Sequence, residues 1–348
     1  MPKPAEATSL PANDAATPGT MDSPALLYAL RWLVRDTFRQ AIAGKVFWIL
    51  LAVSALAIVF CLGVSVEAGV EREYDFLYTK SGKDLTGPNP EPGTLRLLFG
   101  AIRVQIARGE VEEVHLIQVI LATWVAGTIG LLLTLVWTAG FLPDSLQPAN
   151  AAVLLAKPLP RWAFLVGKYL GVLLFVALQS AVFFFGTWLA LGIKTNVWHA
   201  SYLAGIPLLV CQFAGLYAFS VLLAVTTRST VACVLGVLLF WALCLGLNYG
   251  RHAAVAMPIL EPTAHLPGFS TFLLNFSYSV LPKPADMLLL LEEGVGASKV
   301  KATLSSLSEF RVVREIGQFD PSLAIASTVV FVCLMLALSA YQLSKTDY

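Results

Sequence analysis

The sequence predicts an all-α membrane protein with six transmembrane helices. Hydrophobic residues make up 57% of the 348 residues and charged residues only 13%, whereas about 25% of a soluble domain is charged. Crossing the hydrocarbon core of a bilayer takes about 20 mostly apolar residues. Six stretches meet or approach that length, at about 46–66, 119–142, 163–191, 202–225, 231–249 and 322–342. We therefore expect a multi-pass protein of the plasma or inner membrane.

The region before the first span divides into a tail and an amphipathic helix. Residues 1–22 are rich in Pro, Ala, Thr and Asp and lack apolar periodicity, which predicts a disordered tail, and either Met1 or Met21 could be the start. Residues 23–45 carry apolar side chains at helical spacing, with Arg31, Arg35 and Arg39 four residues apart on one flank. This basic stripe indicates an interfacial helix that faces anionic lipid or a cytoplasmic partner, or a signal that fixes orientation, and both interpretations stay open.

The positions of lysine and arginine predict the topology. Basic residues cluster before the first span, in the elbow at 143–162 and in the turn at 226–230, and Lys345 follows the last span. Because cytoplasmic loops carry the excess of Lys and Arg, both termini and the elbow are expected in the cytoplasm. The loops 67–118 and 250–321 are then external. We expect a helix within the first, from Thr94 to Ile117, and proline-broken re-entrant or interfacial helices in the second.

The predicted spans contain almost no ionisable residue, which argues against a built-in ion relay. Lys168 lies near the cytoplasmic end of its span and is expected to extend outward. Gln179 and Gln212 are expected to form hydrogen bonds between helices or to line a substrate path. The five cysteines lie in apolar runs and are interpreted as packing residues.

No residue set predicts catalysis, a metal site or a cofactor site. His252, Glu261 and His265 lie close together in the last loop, but without a recognised ligand spacing they are interpreted as ordinary loop residues. A phosphate-binding loop of the Walker type is absent from the sequence, so ATP would have to be bound by another subunit. The net charge of +1 gives no reason to expect a nucleic-acid partner.

The elbow between spans two and three carries the most specific pattern. It reads FLPDSLQPANAAVLLAKPLPRWAFLVGK from Phe141 to Lys168. Two long apolar spans joined by an acidic residue, a short helix and this basic, proline-containing segment resemble the permease subunits of ABC transporters of the ABC-2 type. The residues that match are Leu154, Leu155, Lys157, Pro158, Arg161, Gly167 and Lys168. The chain departs from that pattern at Asp144 and at Gln147–Ala152, where family members often have Glu and a Gly-Thr pair.

The resemblance implies a six-span transmembrane domain over residues 46–348 and a short cytoplasmic coupling helix at the elbow. In that family the elbow fits a groove on a soluble ATP-binding subunit, and two permeases, either two copies or two paralogues, work with two ATPases. Here Leu146, Leu154 and Leu155 would supply apolar contacts, and Asp144, Lys157 and Arg161 would supply charge pairing. Pro143 and Pro148 would frame a short stiff segment, and Pro158 and Pro160 would redirect the chain into span three.

Three functions remain as alternatives. The resemblance favours the permease of an ATP-driven exporter whose substrate is unidentified. A membrane scaffold or assembly protein would act through its external loops and would tolerate charge reversal in the elbow. An intramembrane enzyme would need a polar cluster buried in the spans.

Overall fold

The computed structural model describes residues 23–67, 93–106, 110–146, 160–261, 267–294 and 307–345, and the predicted tail and residues 147–159 of the elbow lie outside these ranges. Six helical segments are long and apolar enough to cross a membrane. They are Lys45–Leu62, Glu113–Ser145, Arg161–Thr195, Ala200–Thr227, Thr230–Leu260 and Pro321–Lys345. Each of them overlaps one predicted span, so the all-α, six-span fold class is confirmed.

The described part of the chain contains twelve α-helices. In chain order they are α1 (Ser23–Ala43), α2 (Lys45–Leu62), α3 (Glu110–Ile120), α4 (Leu131–Thr138), α5 (Phe141–Ser145), α6 (Arg161–Thr195), α7 (Gly205–Thr227), α8 (Thr230–Leu260), α9 (Gly268–Val280), α10 (Pro284–Gly294), α11 (Ser308–Glu315) and α12 (Pro321–Lys345). A π-helix at Leu121–Gly130 joins α3 to α4 and completes the second span.

The helix α1 is amphipathic and packs along α6. Its buried side chains, Leu33, Thr37 and Ala41, recur every four residues and therefore share one face. The chain comes close to α6 at Gly171, where an added Cβ would lie 2.8 Å from the Thr37 hydroxyl oxygen. Gly44, with extended backbone angles, then separates α1 from α2.

The first external loop contains a small antiparallel sheet. Its strands are β1 (Ser65–Glu67), β2 (Gly93–Leu97) and β3 (Ile102–Ile106), in that spatial order. The predicted helix from Thr94 to Ile117 is therefore wrong in its first half and begins only at Glu110. The alternating β-branched residues of β3 favour a strand, and Leu98, Phe99 and Gly100 turn the chain with positive φ angles of 51°, 58° and 91°.

Aromatic stacking holds the central helices together. The ring of Phe240 on α8 stacks on Phe219 of α7 at 4.1 Å and on Phe331 of α12 at 5.6 Å between centroids. On α7, Tyr217 stacks against Tyr169 of α6, whose hydroxyl donates to the carbonyl oxygen of Ala214 at 2.9 Å. The helix α7 thus lies at the centre of the bundle, and its candidate span is the most buried of the six.

The fifth spanning helix extends well past its predicted end at residue 249. Its buried positions continue at helical spacing through the predicted end and include Cys244, Asn248, His252 and Ala256. Beyond it, the short helices α9, α10 and α11 all pack against α8, and their predicted re-entrant or interfacial position remains a prediction. His252 therefore belongs to a helix, and the interpretation of His252 as a loop residue is wrong.

Candidate functional site

One end of the bundle, called the elbow end here, holds the described parts of the predicted coupling site. It includes α5, the start of α6 at Arg161, the turn before Thr230 and the end of α12 at Lys345. Pro143 and Leu146 are buried in the chain's own core, whereas Asp144 is exposed. Of these three residues, the isolated chain thus presents Asp144 at its surface. Leu154, Leu155, Lys157 and Pro158 lie outside the described residues.

The guanidinium group of Arg161 joins the start of α6 to the end of α12. Its Nη1 donates to the carbonyl oxygens of Leu343 and Ser344 at 3.2 and 3.3 Å. A cation at this position satisfies helix-terminal carbonyls and favours the negative end of the helix dipole. Arg161 therefore has an internal structural role, and its predicted pairing with a partner subunit remains a prediction.

Lys168 is buried, which corrects the expectation that it extends outward. Its Nζ donates to Asp36 Oδ2 at 2.7 Å and to Gln40 Oε1 at 3.3 Å, both on α1. The Lys168 side chain is 5% exposed and that of Asp36 is 42% exposed, so the ion pair lies at the edge of the α1–α6 contact. In the sequence, Asp36 lies between Arg35 and Arg39 of the basic stripe. Only the packing of α1 on α6 identifies it as the partner of Lys168.

The basic stripe is exposed. Arg31, Arg35 and Arg39 all lie on the surface of α1, away from its buried face. This arrangement leaves their charged groups available to lipid or to a partner. Whether α1 lies in the membrane interface remains a prediction.

The two intramembrane amides differ in their surroundings. Gln179 Nε2 donates to Ser54 Oγ on α2 at 3.0 Å, so this residue forms the predicted bond between helices. Gln212 is 3% exposed, and neither its Nε2 nor its Oε1 has a hydrogen-bond partner among the described residues. Gln212 therefore does not form the interhelical bond expected for it within the described part of the chain.

A buried polar network lies at the opposite end of the bundle, called the loop end here. The carboxylate of Asp286, on the first turn of α10, is fully buried. Its Oδ1 accepts from His252 Nε2 at 2.5 Å and from Asn248 Nδ2 at 3.1 Å, and its Oδ2 accepts from the Tyr278 hydroxyl at 2.8 Å. The Asp286 backbone N–H donates to Asn248 Oδ1 at 3.0 Å. These contacts connect α8, α9 and α10.

Lys283 extends this network to α12. Its Nζ lies 2.5 Å from Ser327 Oγ and 3.5 Å from the carbonyl oxygen of Leu323, and it sits 4.6 Å from the ring centre of Tyr278. Burial lowers the pKa of the Lys283 ammonium group to about 8, although the nearby Asp286 carboxylate acts in the opposite direction. Burial, together with the charge of Asp286, also raises the pKa of the Tyr278 hydroxyl. The Arg251 guanidinium covers the same ring at 4.2 Å.

This network was not foreseen from the sequence. Asn248 and His252 are four residues apart and would have been placed on one helix face if the helical period had been continued past residue 249. Asp286 could not be paired with them from the sequence, because 34 residues separate it from His252. The sequence also gave no local signal for the burial of Lys283.

The network is better suited to holding helices together than to catalysis. A lysine with a lowered pKa beside a serine resembles a base paired with a nucleophile. However, Lys283 and Ser327 are only 1% and 8% exposed, and the Ser327 hydroxyl also lies 3.2 Å from the carbonyl oxygen of Ala324. Among the described residues no group of three or more His, Cys, Asp or Glu could hold a metal ion.

No family model matches the chain, and none of the curated proteins searched is similar to it. The geometry indicates a multi-pass, all-α membrane protein. Arg161 and Lys168 join helices at its elbow end, and Asp286 joins helices at its loop end.

Proposed function

We propose that this chain is the membrane-spanning permease subunit of an ATP-driven exporter of the ABC-2 type. A separate ATP-binding subunit would hydrolyse ATP and bind the elbow, so the chain itself would need no cofactor and no catalytic residue. The working complex would contain two permeases, either two copies of this chain or a paralogue as the second, in the plasma or inner membrane. Both termini would lie in the cytoplasm.

The observation that carries the proposal is the sequence LLAKPLPRWAFLVGK, from Leu154 to Lys168, in the elbow between the second and third spans. A lever that transmits motion must be fixed to the helices it moves. At the start of the elbow, Pro143 and Leu146 are buried in the bundle. At its end, Arg161 bonds to the end of α12, and Lys168 bonds to α1.

These contacts define a mechanical path. Force applied between residues 147 and 159 would act on α5 at one side and on α6 at the other. Because Arg161 and Lys168 join α6 to α12 and α1, tilting of α6 would move both of those helices with it. The basic stripe on α1 would stay in contact with anionic lipid during that motion.

The test is ATP hydrolysis by the complex purified from its native membrane. We expect an ATP-binding subunit to co-purify in stoichiometric amount and to hydrolyse ATP after reconstitution in lipid vesicles. Leu154→Asp and Lys157→Glu should lower both association and hydrolysis by about tenfold or more, which corresponds to about 1.4 kcal/mol of lost contact energy. Thr227→Asp, at the exposed last residue of α7, is the matched control and should leave both unchanged.

Two results would contradict the proposal. The first is purification of the intact chain without any ATPase. The second is wild-type association and hydrolysis in both elbow variants. If, in addition, changes in the external loops abolish partner binding while the elbow variants behave as wild type, the scaffold function would replace the permease function.

A further inference from the structure

A small cavity lies in the middle of the bundle, between α2, the π-helix, α6 and α7. Its volume is about 50 Å³, and its lining is mostly aliphatic and aromatic. One water fills roughly 10–15 Å³ of a cavity whose volume is measured in this way. The cavity therefore has room for roughly three to five groups the size of a water or a methylene. It can therefore hold a segment of a chain molecule but not a bulky ligand.

The cavity exists because small residues face one another where four helices meet. Ser54, Ala126, Gly130 and Ser180 are among the lining residues. An added Cβ at Gly130 would contact only the backbone of Val125, so no neighbouring helix fills the space beside it. The π-helix contributes to this wall, and π-helical turns often occur at functional sites.

The cavity opens on the side of the bundle that would face lipid. Val53 on α2 is the exposed residue of the lining, at 37%, whereas Val176 on α6 and Leu209 on α7 are buried. Ser54 lies at the middle of α2, and Gln179 lies at the middle of α6. In a bilayer crossed by α2 and α6, the opening would lie near the centre of the hydrocarbon core, where the surrounding medium consists of alkyl chains.

The polar atoms of the lining are mostly acceptors. The Ser54 hydroxyl donates to the carbonyl oxygen of Leu50, Ser180 donates to Ala177, and Thr134 donates to Gly130. Their hydrogens are therefore used within their own spans, and these oxygens can form further hydrogen bonds only as acceptors, as Ser54 already does. Gln179 uses one N–H on Ser54, and within the described part of the chain its Oε1 accepts no hydrogen bond.

An amide with one free N–H and one free carbonyl is matched by a hydroxyl group, which both donates and accepts. A simple alkyl chain would leave these atoms unpaired in hydrocarbon, and an ether could accept but not donate. We propose that the cavity binds an alkyl chain that carries a hydroxyl group in its middle, with the hydroxyl bonded to Gln179 at the rim. This site goes beyond the proposed function, because it requires no ATPase.

Photo-crosslinking in nanodiscs tests the site. Three probes are compared: 12-hydroxystearic acid, its methyl ether and stearic acid, each with a diazirine beside carbon 12. We expect the hydroxyl probe to label peptides that contain Ser54 or Gln179 about three- to tenfold more than either other probe, the effect of one or two hydrogen bonds. Unlabelled 12-hydroxystearic acid should compete, and stearic acid should compete less.

Substitutions test which residues cause the stronger labelling by the hydroxyl probe. Gln179→Leu should abolish the difference between the probes, and Ala126→Leu should lower labelling by all of them because it fills the cavity. Gln212→Leu is the matched control, since this buried amide lies outside the lining and should leave the preference intact. Equal labelling by the three probes, no labelling of these peptides, or an undiminished preference in Gln179→Leu would overturn the proposal.

Discussion

Asp286 and Gln212 show how differently two buried polar side chains can be accommodated in this bundle. Asp286 has three side-chain donors around its carboxylate, from His252, Asn248 and Tyr278. Gln212 is also buried, yet its amide has no partner within the described part of the chain. Buried polar groups are costly unless they are hydrogen-bonded, so the bonds of Asp286 offset the cost of its burial, whereas the cost of burying the Gln212 amide is not offset within the described residues.

Removing the Asp286 carboxylate should destabilise the protein strongly. Asp286→Leu would leave the Asn248, His252 and Tyr278 donors buried without an acceptor, and we expect a loss of about 3–5 kcal/mol in the free energy of unfolding. Denaturant unfolding in detergent micelles measures it. Glu261→Leu, a carboxylate at the exposed end of α8, is the control and should change stability by less than about 1 kcal/mol. Equal effects of both variants would show that the network is not stabilising.

The lowered pKa of Lys283 predicts that the folded protein becomes more stable as the pH rises into the alkaline range. Its pKa is lowered to about 8 in the folded protein, whereas an unfolded lysine titrates near 10.4. Between these values the unfolded state binds more protons, so the free energy of unfolding increases as pH rises from about 8 to about 10.4. Below pH 8 both states are protonated, and this contribution becomes constant.

The measurement is the melting temperature in detergent from pH 7 to pH 10. We expect Lys283→Met to flatten the rise relative to wild type, while Lys194→Met, an exposed lysine at the end of α6, should retain it. If the wild-type profile falls across this range and Lys283→Met follows it in parallel, the assignment of the effect to Lys283 is wrong.

At the scale of elements, the contact between α1 and α6 depends on the absence of a side chain at Gly171. A Cβ there would lie 2.8 Å from Thr37 Oγ1 and 2.9 Å from Thr37 Cβ, closer than real contacts allow. Gly171→Ala should therefore displace α1 and cost about 1–3 kcal/mol. Gly246→Ala on α8, where nothing lies within 4 Å, should instead be neutral or stabilise by up to about 1 kcal/mol.

Amide hydrogen exchange measures the effect of each substitution on its own helix. Amides of α1 should exchange faster in Gly171→Ala, whereas those of α8 should be unchanged. The ion pair between Lys168 and Asp36 lies along the same contact, so its removal in Asp36→Ala should act in the same direction on α1. Wild-type exchange of α1 in both variants would mean that these two contacts do not hold α1 on α6.

Apolar length predicted the spanning helices well because it is a local property. The strand pairing of β2 with β3 was missed since a short alternating segment next to a helix gives a weak signal, and the turn depends on positive φ at Leu98 and Phe99. The predicted fifth span ends at residue 249, before Arg251 and His252, whereas α8 continues to Leu260. Their burial and bonding depend on α9 and α10, which no local pattern identifies.

For the whole molecule, the sequence identified the elbow residues but not their internal partners. Arg161 and Lys168 were selected as members of a motif, and the structure shows that they bond to α12 and α1. The carbonyl oxygens that Arg161 contacts belong to residues 182 and 183 positions away in the chain. Long-range contacts of this kind depend on the packing of the helices, and charge or hydropathy patterns do not contain that information.

The orientation of the bundle is the last prediction and the one on which coupling depends. Ser201 and Thr227 are exposed at opposite ends of the fourth span, and 26 residues of helix correspond to about 39 Å, more than the roughly 30 Å of the hydrocarbon core. The basic residues at the elbow end predict that Thr227 lies in the cytoplasm and Ser201 outside. In intact cells a membrane-impermeant maleimide should therefore label Ser201→Cys and should not label Thr227→Cys.

The labelling requires a background in which the five native cysteines are replaced, since Cys333 is exposed on α12. In permeabilised cells both engineered cysteines should react, which shows that Thr227→Cys is accessible in principle. Reaction of Thr227→Cys alone in intact cells would place the elbow outside, beyond the reach of any cytoplasmic ATPase. Because Arg161, Lys168 and Thr227 lie near the same end of the bundle, this single result would remove the basis for coupling through the elbow.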